Sequence, residues 1–122
     1  VKHLKRFNES LISDKFDEQI EDLFIGITDD LGAGIQVVLD ELDAGPRMER
    51  MQVKIYLPHG YEHSPMDVYY KIKNELAPIH SQIMQDYGLK FSGCSQLYRH
   101  NHPKYYGVIN LIYYKYEASE EV

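Results

Sequence analysis

The chain has 122 residues and a formal net charge of −6. That length is one domain's worth and buries enough surface to fold without a metal or a disulfide, while the acidic balance argues against nucleic acid, whose phosphates need clustered Lys and Arg. A single cysteine, Cys94, excludes an internal disulfide, and no apolar run approaches the roughly 20 residues of a membrane span, so a soluble, cytoplasmic protein with no membrane partner is expected.

The amino-terminal stretch VKHLKRFNES sets Lys2, Lys5 and Arg6 around Leu4 and Phe7. In a helix, Leu4, Phe7 and Leu11 would share one face. Ten residues cannot hold a helix alone in water. Residues 1–12 therefore read as a basic amphipathic arm: disordered, or a packed lead-in to the next helix, or a recognition segment that folds on a partner.

A single α+β domain is expected over 13–117. Phe16, Ile20, Leu23, Phe24, Ile27 and Leu31 recur at spacings of three and four, which predicts a helix over 14–31 with Ser13 as its cap and Gly32 as its stop. Gly26 weakens that helix from inside. GIQVVLDEL (34–42) reads as a strand, DAGPR as a turn, and RMQVKIYL (50–57) as a second strand burying Met51, Val53, Ile55 and Leu57. SPMD (64–67) starts a second helix, with Ser64 as cap and Pro65 at the first helical position. Its face is Met66, Tyr69, Ile72, Leu76, Ile79, Ile83 and Tyr87, and Pro78 should kink or split it near Asn74.

Two more strands, 89–100 and 104–117, follow around the tight connection NHPK. In the last strand Tyr106, Val108, Ile112, Tyr114 and Tyr116 fall on one face and Ile109, Leu111 and Tyr113 on the other. With both faces apolar or aromatic, this strand belongs in the middle of the sheet or under a partner. The closing residues, 118–122, read as an acidic, frayed tail. The fold class is thus α+β, in the order αββαββ: a four-stranded antiparallel sheet with two helices on one face. The open face would carry Tyr56, Tyr106, Tyr114 and Tyr116, a contact or homodimer surface.

Candidate chemistry is sparse. His59 and His63, four apart, and His100 and His102, two apart, should meet at one end of the sheet, where four imidazoles with Glu62 could hold a transition metal. The competing reading is a solvated loop cluster without metal-ligand spacing. Cys94 lacks an adjacent base and reads as a packing residue. Asp29, Asp30, Asp40, Glu41 and Asp43 read as solvated charge. LGAGIQ follows a helix instead of a strand, so its glycines are turn residues and not a phosphate loop. The cations around Arg99 to Lys104 leave room for a local site but not a broad groove. No cofactor motif is present, and no cofactor is expected.

With Val1 read as an alternative start codon, the peptide becomes Met-Lys-His-Leu-Lys-Arg-Phe-Asn-Glu-Ser. It resembles the amino-terminal capsid-targeting peptides of large contractile-tailed bacteriophages. Lys2, Leu4, Phe7, Glu9 and Ser10 match that pattern, although Glu9 stands closer to Phe7 than in those peptides. DDLGAGIQVVLDEL and DVYYKIKNELAPIHSQIMQDYG likewise resemble small bacteriophage proteins of αββαββ type to which no activity is assigned. The resemblance implies a bacterial host cytoplasm, and a virion destination in which Lys2, Leu4, Lys5, Arg6, Phe7 and Glu9 form the address. The expected function is non-enzymatic, through contacts with a protein partner or a second copy. The alternative is a metal-dependent enzyme at the histidine cluster.

Overall fold

The computed structural model describes residues 15–43, 47–60, 63–99 and 102–116, without side-chain placement at 41–43, 47, 48 and 116. The arm at 1–12, the expected cap Ser13, the turn tip at 44–46, Glu62, His100 and the tail at 118–122 lie outside the described residues. Helix α1 covers residues 15–23 and α2 covers Ile25–Leu31. Strands β1 (Gly34–Asp43) and β2 (Arg47–Pro58) follow, then helix α3 (Pro65–Tyr87) and strands β3 (Lys90–Tyr98) and β4 (Tyr105–Tyr116). The strands form one antiparallel sheet in the order β1-β2-β4-β3. The expected α+β architecture is therefore present, and the last strand does occupy a central place.

Helices α1, α2 and α3 bury their apolar stripes in one core on one face of the sheet. Ile20 comes from α1, Ile27 from α2 and Phe24 from the junction between them, and Val68, Ile72, Leu76 and Ile83 come from the third helix. Beneath them lie Met51, Val53, Ile55 and Leu57 of β2 and Ile109, Leu111 and Tyr113 of β4. The alternation in β2 is obeyed at all four expected positions, each fully buried.

The expected single helix over 14–31 is broken at Phe24. Phe24 takes φ −98° and ψ 0°. Its N–H reaches Glu21 O at 3.0 Å, three residues back, and the ordinary spacing resumes with Thr28 N–H on Phe24 O at 2.9 Å. Thr28 contributes to the break. Its hydroxyl donates to the carbonyls of Phe24 (3.2 Å) and Ile25 (3.3 Å), a back-bond that bends helices.

Pro78 does not split the helix: α3 runs past it as a single helix. Asn74, Ala77 and Pro78 are all exposed, so water can satisfy the carbonyl that proline leaves unpaired. The cap is as expected. The Ser64 hydroxyl accepts from Asp67 N–H at 3.2 Å with Pro65 behind it.

Two bulges adjust the sheet. The β2–β4 register slips between Leu57 and Pro58, so that Leu57 faces Gly107 but Pro58 faces Tyr105. Proline has no N–H with which to continue the ladder. The slip corrects one expectation: Tyr106 packs against the helix-side core, and its hydroxyl donates to the carbonyl of His63. Tyr105 takes the open-face place instead, its ring 5.3 Å from that of Tyr56. The second slip lies between Phe91 and Gly93 in β3. None of the described helices is long and apolar enough to cross a membrane.

Candidate functional site

Strand register fixes which side chains meet on the face turned away from the helices. Tyr56 stands opposite Val108, and Val108 opposite Leu97. One step along, Lys54 faces Asn110, and at the far end Asp40, Arg50, Tyr114 and Lys90 line up across all four strands. Tyr56 and Tyr114 therefore share this face, as expected. The Tyr116 side chain lies outside the described residues.

The face is more polar than its tyrosines suggest. Asp40 Oδ2 accepts from Arg50 Nη2 and Gln52 Nε2, both at 3.2 Å. Gln52 Oε1 in turn accepts from Asn110 Nδ2 at 2.7 Å, and the Tyr56 hydroxyl donates to Gln36 Oε1 at 2.7 Å. This seam ties β1, β2 and β4 together.

Beside the seam is a depression of about 240 Å³. Val108 forms its floor, only 4% exposed although it stands outside the helix-side core. Tyr56 and Leu97 form its walls, and Lys54, Asn110, Ser95, Gln96 and Arg99 complete its lining. Leu97 is 53% exposed, a large apolar side chain on the outermost strand. None of the described residues lining the depression is acidic, although the whole chain carries −6.

The histidines expected at one end of the sheet do meet there in part. His59 Nε2 donates to the carbonyl of His102 at 2.7 Å. His102 Nδ1 accepts from the N–H groups of Lys104 and Tyr105, each at 3.1 Å, and so closes the β3–β4 turn. The His63 side chain is exposed. His59 and His102 thus touch through a main-chain oxygen and not through a shared point for an ion. Among the described residues, no group of three or more His, Cys, Asp or Glu is arranged to hold a metal.

On the helix side, His80 was not singled out by sequence. Its ring stacks on Phe91 at 3.9 Å, nearly parallel, and its Nδ1 meets the hydroxyl of fully buried Tyr113 at 2.8 Å. Burial lowers the His80 pKa and pushes the Tyr113 hydroxyl far up. The signal was available: position 80 is four after Leu76 and three before Ile83, on the buried stripe of α3. Cys94 is half-buried against Met66, Sγ to Sδ 3.9 Å. Burial raises its thiol pKa, while the Tyr69 side chain bonding to it pulls the other way. A raised thiol is a poor nucleophile.

No family model, curated protein or solved structure matches this chain.

Proposed function

We propose that the protein is a non-catalytic binding module that holds another protein against the uncovered side of its sheet. One observation carries the reading: exposed Leu97 stands beside the Val108 depression on an outer strand, flanked by Tyr56 and two cations. Exposed apolar groups with a polar rim are the anatomy of a contact surface. Among the described residues, several groups that could do chemistry are engaged elsewhere. Asp40 is held by Arg50 and Gln52, His102 by its own turn, and the Cys94 thiol has its pKa pushed up by burial.

In its wider form the reading makes the protein a bacteriophage accessory or packaged component, working in the host cytoplasm or the virion. That form rests on the sequence of residues 1–10, with Leu4 and Phe7 entering a groove on a scaffold protein and Lys2, Lys5 and Arg6 meeting acids around it. Fusing residues 1–10 to an unrelated reporter tests it; particles that never package the fusion remove it.

The contact reading is tested by cross-linking in extracts of the producing cell, with Leu97→Asp on the open face and Met84→Asp on exposed α3 as the control. The cross-linked species, partner or second copy, should survive Met84→Asp and vanish with Leu97→Asp. Survival in both variants refutes the assignment of this face. Light scattering at two concentrations separates a second copy from a different protein.

A further inference from the structure

We infer that the segment seated in the Val108 depression is acidic: an extended stretch of a partner protein in which an apolar side chain has carboxylates two residues before and after it. The inference rests on the contact reading above and adds the chemistry of the partner.

The argument is one of charge set against shape. The chain is acidic overall, yet the described residues lining this depression include Lys54 and Arg99 and no carboxylate. The cation nearest the seam, Arg50, is already matched by Asp40 at 3.2 Å. Lys54 and Arg99 instead stand across the depression from each other, on β2 and just beyond the end of β3. The floor between them is Val108, with Leu97 and Tyr56 as walls. A partner segment therefore needs apolar groups for the floor and negative groups at both edges. In an extended chain successive side chains point opposite ways and every second one meets the same surface, so carboxylates two residues before and after an apolar side chain reach the edges while it meets the floor. A guanidinium also matches a carboxylate through two parallel hydrogen bonds.

Polyanions fit less well. Nucleic-acid binding scales with the number of phosphates neutralised, and two cations on a −6 chain offer little. Phosphate cradles use main-chain N–H groups at a helix start. The start of α3 lies on the other face, where Met66 N–H donates to Gln96 Oε1 at 3.0 Å.

The test uses the full chain, isotope-labelled for amide NMR, and a terminally blocked peptide repeating glutamate-serine-valine-serine, which sets glutamate and valine on one face. Its lysine–valine counterpart and free hexanoate are run beside it. The acidic peptide should shift the Leu97, Val108 and Asn110 amides saturably. The double variant Lys54→Gln/Arg99→Gln should weaken that binding about tenfold at low salt, and added salt should do the same to the wild type. The lysine peptide should leave the three amides unmoved. Equal responses to both peptides, or undiminished binding by the double variant, overturn the inference. Saturation by hexanoate at the same affinity also overturns it, in favour of a small-molecule acid. Urea unfolding of the double variant verifies that the fold is intact. An inference lost here leaves the Leu97→Asp cross-linking result standing, whereas a contact reading lost there removes both.

Discussion

The hydroxyl of Tyr113, fully buried in the central strand, meets Nδ1 of His80 on α3 at 2.8 Å. The pair joins helix to sheet and makes stability depend on pH. Burial lowers the folded pKa of His80 below 6.5. Between that lowered value and 6.5, the unfolded chain takes a proton that the folded chain refuses, so stability falls as pH falls. Above 6.5 neither state is protonated and this histidine adds no slope. His80→Phe keeps a ring on Phe91 but strands the Tyr113 hydroxyl. At neutral pH it should cost about 1–3 kcal/mol, and its stability below about pH 6.5 should be flatter than the wild type's. Urea melts across that range read both effects; parallel slopes would show that His80 is not the titrating group.

Gly107 is where α3 rests on the sheet. A β-carbon there would lie 2.6 Å from Pro65 Cγ and 3.2 Å from the carbonyl oxygen of Leu97. Neither can retreat freely, since one is the first ring of a helix and the other a strand backbone. Gly107→Ala should cost about 1–3 kcal/mol of stability. Gly26→Ala is the contrast. Nothing lies within 4 Å of its β-carbon, so it should stabilise by up to about 1 kcal/mol through helix propensity. Thermal denaturation of the two variants should move in opposite directions.

Ser64→Ala removes the acceptor for Asp67 N–H at the start of α3. The loss should be about 1 kcal/mol, with Asp at the same position restoring most of it. Equal melting of the Ala and Asp variants would mean that the cap contributes nothing.

Asp40→Asn tests the polar seam. Both partners of the Asp40–Arg50 pair are about one-third exposed, at 34% and 33%. The change should therefore cost less than about 1 kcal/mol, and that cost should shrink as salt is added. A large, salt-independent loss would identify the seam as a main support of the sheet.

Much of this architecture was legible in residue spacing. The Met51-Val53-Ile55-Leu57 alternation, the Ser64-Pro65 start and the two apolar faces of the last strand each carry a local physical signature, and each is found in place. What escaped depends on one-residue shifts and on partners distant in sequence. Tyr106 was assigned by parity, and a bulge at Pro58 reverses parity for every side chain beyond it. Pro58 itself was the available warning. Pro78 was judged by its own covalent limits, while its effect depends on which side of α3 meets water. The His59–His102 approach followed from topology, but spacing could not reveal that His102 would use its ring to fasten its own turn. The Lys54–Arg99 depression joins residues on separate strands that only register brings together. Nothing local in the sequence announces it.

The strand order has a consequence for how such a molecule comes into being. The segment that fills the gap between β2 and β3 is the last of the four to be synthesised. Until residues 105–116 arrive, the β1–β2 hairpin offers a bare inner margin and β3 has no neighbour at all. Such distant pairing is slow to nucleate. A ribosome-tethered intermediate would wait with sticky margins that a holdase can clasp, and the final strand would close the sheet like a zip pulled last.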